Sequence, residues 1–117
     1  MGELINESFY NYKEVEVKIK KLNEAVRELK SLSCEFYCYT VSGLMLFEYS
    51  SLSLTIFYFD KALKVLSMKN LYYFDYKLEL SIYKHTAKVF LQIKKLREAK
   101  EMAYMYLRKT WRYRNVD

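Results

Sequence analysis

His85 is the single histidine of the chain, and Cys34 and Cys38 are its two cysteines. A histidine does acid–base work, or activates a nucleophile, when a partner such as a cysteine or a paired carboxylate stands within reach. His85 has neither beside it, and the Asp and Glu residues are scattered along amphipathic segments as ordinary surface charge. Cys34 and Cys38 stand four apart, which puts both on one face of a helix, so they read as two reduced, partly buried thiols. A zinc centre wants about four ligands. With His85 far from both cysteines in the sequence, no metal is expected. There is no glycine-rich loop to cradle a phosphate. These residues point to a chain that binds rather than catalyses and that needs no cofactor.

The remaining chemistry is electrostatic. Residues 1–58 hold six Lys or Arg against eight Asp or Glu, whereas residues 59–117 hold fourteen against six. Such asymmetry predicts an anionic partner for the C-terminal half, or self-association in which opposite charges meet. The densest basic stretch is Arg108, Lys109, Arg112 and Arg114, interleaved with Tyr104, Trp111 and Tyr113. Nucleic-acid binders place cations on phosphates and rings on bases, so a nucleic-acid-binding accessory role through Arg108, Lys109, Trp111, Arg112 and Arg114 is the alternative function. Basic residues at a helix C-terminus also complement the helix dipole, which is a purely structural use of the same residues.

What must position these groups is helix. The chain has no proline, two glycines and no Asn-Gly, Asp-Gly or Gly-Gly pair, so hairpin turns between strands are not supplied. Hydrophobic residues are 52% of the chain and aromatic residues 18%, enough to fill one core, and 117 residues fit a single domain over 1–117. An all-α fold of about five helices follows. Tyr12, Val15, Ile19, Leu22, Val26 and Leu29 recur at steps of three and four and predict a helix over 8–32. From Val15 to Leu29 the rhythm is a strict 4-3-4-3 seam, for packing on the chain's own helices or on a second copy.

Ser31 and Ser33 break that helix, and a first hairpin is expected over 34–67 with its turn at Ser50 and Ser51. Met68, Lys69 and Asn70 make the next break. A second hairpin is expected over 71–112, its first arm opening on Tyr72, Tyr73, Phe74 and Tyr76 and its turn at Lys94 and Lys95. Short helix–helix links force antiparallel neighbours. The stretch from Phe36 to Phe59 carries one charged residue, Glu48, over a length that would cross a bilayer. Glu48 near its midpoint would cost about 2.5 to 3.5 kcal/mol there, and Ser50, Ser51 and Ser53 form a turn, so two buried helices are expected and no membrane span. The N-terminal residues lack a basic start followed by an apolar run, which predicts a cytoplasmic protein.

The two hairpins repeat. Gly43 matches Ala87, Thr55 matches Ala99, Phe59 matches Ala103 and Ala62 matches Tyr106, all 44 residues apart. Small residues recur in mid first helix and early in the second. On these positions, and on the stretches Leu54–Leu66 and Tyr83–Ala99, the chain resembles the tetratricopeptide repeat family. The 44-residue offset exceeds that family's usual length, Thr55 stands where it prefers alanine, and no proline closes either repeat. The resemblance implies protein or peptide binding on the first helices of the hairpins. Transferred to this chain, the ligand-facing positions are Tyr37, Thr40, Val41, Leu44 and Phe47 in one hairpin, and Ser81, Lys84, His85, Lys88 and Gln92 in the other. The second set is polar and basic and suits an acidic peptide. Two repeats leave open ends, which implies a homodimer.

Overall fold

The structure is a computed structural model that describes residues 2–49, 51–68 and 75–115, with the side chains of the first helix described from Tyr12 onward. Among these residues there are five helices and no strand: α1 (Gly2–Leu29), α2 (Leu32–Glu48), α3 (Leu52–Leu66), α4 (Tyr76–Gln92) and α5 (Leu96–Asn115). α2 pairs with α3 and α4 with α5 as antiparallel hairpins, and the hairpins meet through α2 against α4 and α3 against α4. α1 packs on α2. No described helix is long and apolar enough to cross a membrane.

Local chemistry sets the boundaries. The break after α1 falls earlier than residue 32, because Lys30 takes a left-handed φ of 49° and Ser31 is already the N-cap of α2, its hydroxyl accepting from the Cys34 N–H at 3.3 Å. α4 begins at Tyr76 rather than at Leu71, because Asp75 in extended backbone accepts from the Lys77 N–H at 2.9 Å and caps the helix there. The expected break at Lys69 and Asn70 and the aromatic run Tyr72–Phe74 lie outside the described residues. α4 ends on Lys94 at φ 61°, with the Lys95 N–H reaching back to the Phe90 carbonyl at 2.8 Å and the Lys94 N–H to Leu91 at 3.1 Å. That hydrogen-bond pattern is the Schellman motif, here built on a lysine where glycine is usual. α5 continues past Trp111 to Asn115, so the basic cluster is its last two turns.

The core lies where the hairpins meet. Phe36 of α2, Phe59, Ala62 and Val65 of α3 and Ile82 of α4 are buried together, with Leu32, Leu44, Leu63, Leu66 and Leu78 packed around them. A second cluster joins Val15 and Ile19 of α1 to Leu46 of α2, and the Asn23 amide donates to the Tyr58 hydroxyl at 3.1 Å across to α3. The seam read from Val15, Ile19 and Val26 is therefore covered by the chain's own helices, while Leu29 is left exposed.

Gly43 explains the closeness of the first hairpin. A methyl group there would sit 2.6 Å from Phe59 Cδ1 and nearer still to Cε1, so the ring occupies the space a side chain would need. Ala87, Thr55 and Ala99 are buried as their matched positions require, but Phe59 is buried where Ala103 is exposed. The repeat thus holds at its small positions and diverges on α5. Ser42 and Thr86 share the same offset, and each buries a hydroxyl without a hydrogen-bond partner among the described residues.

The result is an open stack rather than a closed bundle. Its extents are 52 × 38 × 21 Å and its radius of gyration is 15.5 Å, against about 13 Å for a compact chain of this length. Its accessible surface of 8741 Å² likewise exceeds the roughly 6,800 Å² of a compact monomer of this mass.

Candidate functional site

The α4 helix separates its residues into an inner and an outer face. Glu79, Ile82, Tyr83, Thr86, Ala87 and Val89 turn inward. Lys77, Lys84 and Lys88 stand at helical spacing on the opposite side, all exposed, and no ion pair reaches any of them among the described residues. Lys77, Leu80, Ser81 and Lys84 of α4, with Tyr106 of α5, line an open groove of 220 Å³. Lys84 is among the positions expected from sequence, and Lys77 is not.

The other expected positions divide. His85 is half-buried, its ring edge-on to Phe47 of α2 with centroids 4.8 Å apart, so these two residues are brought together where the hairpins meet. The His85 Nδ1 donates to the Ser81 carbonyl at 2.7 Å, which fixes the ring. Gln92 is exposed at the end of α4. Tyr37 is exposed too, but it lies about 15 Å from Phe47 along α2 and does not join the groove. Thr40 does not face a ligand: it is fully buried, its hydroxyl donating to the Phe36 carbonyl at 2.7 Å.

A polar cluster that sequence reasoning missed lies on the inner face. Glu79 is only 2% exposed. Its carboxylate accepts from the Tyr83 hydroxyl at 2.7 Å and from the Tyr113 hydroxyl, and Lys109 Nζ stands 3.6 Å away. The Tyr76 and Tyr113 rings pack with centroids 5.0 Å apart. Burial, and then the bond to the Glu79 carboxylate, push both Tyr83 and Tyr113 well above the ordinary tyrosine range, since an ionised phenol would lose solvation and face a carboxylate. Beside the cluster, Leu63 and Leu66 of α3 and Met102 and Met105 of α5 wall an open groove of 340 Å³. Chemically this is a clamp, two hydroxyl donors and one ammonium around a buried carboxylate, with Tyr113 and Lys109 tying the end of α5 to the start of α4. One signal was present in the sequence: Glu79 and Tyr83 are four apart on a helix.

The clamp also redistributes the basic cluster. Lys109 and Tyr113 are drawn inward, whereas Arg108, Trp111, Arg112 and Arg114 remain exposed. The two thiols of α2 are free, with Sγ atoms 3.8 Å apart, and burial pushes Cys38 up to about 11. No family model, curated protein or solved structure matches the chain.

Proposed function

We propose that the chain is a tetratricopeptide-like helical-repeat module that captures an acidic segment of a protein partner on the outer face of α4. The observation that carries this reading is the strip of Lys77, Lys84 and Lys88, three cations along one helix face that are unpaired among the described residues and stand beside an open groove. Cations aligned on a helix attract carboxylates and set their register, while the Tyr106 and Leu80 walls of the groove give an apolar side chain somewhere to lie. The order of helix packing supports the module: the first hairpin rests on the second through α2 and α3 against α4, and the outer face of α4 is left open. The free thiols suit a reducing compartment, in keeping with a cytoplasmic protein.

Selection from a displayed peptide library tests the reading. Sequences rich in Asp and Glu are expected to be enriched by the parent chain, and the double change Lys84→Glu and Lys88→Glu is expected to weaken their binding about tenfold or more. Enrichment of neutral or basic peptides, or equal binding by the variant, would remove the α4 face from consideration.

A further inference from the structure

The outer face of α5 carries a second, separate surface. One side of the helix, centred on Ala99, Met102, Tyr106 and Tyr113, packs on α4. The opposite side exposes Leu96 at 61%, Tyr104 at 67%, Leu107 at 64% and Trp111 at 69%. With Ala103 these residues span a stripe of about 100° of the helix circumference. A helix at the end of a stack has no need of a second apolar face for its own fold. Lys100 and Arg114 stand within the stripe, and Arg108 and Arg112 flank it. None of these four cations is ion-paired among the described residues.

We infer that this face docks on an anionic lipid bilayer, with α5 lying in the interface and Trp111, Leu107 and Tyr104 sunk to the level of the headgroups. The charge identifies the occupant. A second copy laid parallel against this stripe would set Arg108, Arg112 and Arg114 near their own counterparts, and laid antiparallel it would bring them toward Glu101, which Arg97 already holds in an ion pair at 3.5 Å. Nucleic acid would reward the two rings, but Leu96 and Leu107 have no planar face on which a base can stack. A membrane interface uses all of them. Aliphatic side chains enter the acyl boundary, Trp and Tyr sit at the interface, and arginines bury their stems while holding their charge among anionic headgroups. The surface lies on a membrane without crossing it, and it is distinct from the α4 strip.

Trp111 is the only tryptophan, so its emission reports this face alone. The full chain is titrated with vesicles of phosphatidylcholine, and with vesicles of phosphatidylcholine containing about 30% phosphatidylserine, at about 0.1 M salt. A blue shift and co-sedimentation are expected with the anionic vesicles only, and both should be reversed at about 1 M salt, where the screening length falls to about 3 Å. Arg108→Gln and Arg112→Gln should each lower partitioning about fivefold, and Leu107→Ala about tenfold or more. All three positions are exposed, and an unchanged far-UV circular dichroism spectrum verifies that each variant folds. Emission unchanged by either vesicle overturns the inference, as does equal binding to neutral vesicles. A blue shift that grows with protein concentration in the absence of lipid also overturns it, by assigning the face to a second copy; quenching by a single-stranded oligonucleotide with no response to lipid assigns it to nucleic acid.

Discussion

Gly43→Ala puts the close packing of the first hairpin to a test in which the sign of the effect decides. In the middle of an exposed helix this change stabilises by about 1 kcal/mol, because alanine loses less backbone entropy than glycine. At Gly43 the added methyl meets the Phe59 ring, 2.6 Å from Cδ1 where ordinary contact begins at 3.4 Å. The ring, or the whole of α3, must therefore move by roughly 1 Å. Phe59 is 1% exposed and touches the centre of the core, so it has no empty space to enter. Overpacking of this kind costs about 1 to 3 kcal/mol in a well-filled interior. Where the cost exceeds the gain in helix propensity, the variant is less stable by about 1 kcal/mol or more, and its melting point falls by roughly 3 to 5 °C per kcal/mol for a chain of this size. Urea unfolding followed by far-UV circular dichroism measures the difference. The same substitution in a Phe59→Leu background separates the two terms, since the smaller side chain leaves room for the methyl. There Gly43→Ala should be neutral or stabilising, with a coupling of about 1 kcal/mol or more between the two sites. A stabilised single variant, or a coupling below about 0.3 kcal/mol, would refute the argument that Gly43 exists to admit Phe59.

Three further outcomes follow from other parts of the fold. Tyr113→Phe removes one donor from a buried carboxylate and should cost about 1 to 2 kcal/mol in urea unfolding, the bond being only partly shielded from water. Folding raises Tyr83 and Tyr113 above their unfolded values, so above pH about 10 the unfolded chain releases protons that the folded chain keeps. The stabilisation from these two groups is complete below that pH and is lost as pH rises further; Tyr83→Phe and Tyr113→Phe should flatten the decline, leaving the smaller slope due to Tyr39, which burial and then Glu35 also raise, and to the Cys38 thiol, which burial raises to about 11. Lys94→Gly relieves a left-handed lysine at the end of α4 and should stabilise by about 0.5 to 1 kcal/mol, seen as a higher urea midpoint at unchanged slope.

The parts of this fold that sequence revealed are those governed by period and size. Val15, Ile19 and Val26 announced their helix, and the smallness of Gly43 marked where α2 and α3 close on each other, because steric demands at a close contact leave a residue-level trace. The start of α4 was misplaced because Tyr72, Tyr73 and Phe74 extend the apolar pattern upstream, whereas the boundary is set by one hydrogen bond from the Lys77 N–H to Asp75. Glu79 was invisible for a different reason. A glutamate on a helix is ordinarily solvated, and this one is buried by residues 30 and 34 positions further on, Lys109 and Tyr113, which reach it only because α5 returns antiparallel to α4. Pairings of that range depend on the register of the hairpin, which apolar periodicity constrains only loosely. Likewise Phe59 and Ala103 match by offset yet differ in burial, since α3 has a helix on either side and α5 is the last of the stack.

The buried carboxylate and the exposed stripe are two consequences of one rotation. Lys109 and Tyr113 are four apart, so holding both against Glu79 fixes the direction in which the last turns of α5 face. With that side turned inward, Tyr104, Leu107 and Trp111 have no orientation left but outward, and Arg108 and Arg112 are carried to the flank of the stripe. Burying the apolar side instead would take Lys109 and Tyr113 away from Glu79 and leave it the Tyr83 hydroxyl alone, at a cost of several kcal/mol for a buried charge stripped of its countercharge. A strictly apolar contact between α4 and α5 would leave a choice between two hydrophobic faces of similar size. The carboxylate removes that choice, and so a charge hidden inside the hairpin determines the chemistry that its last helix presents to the outside.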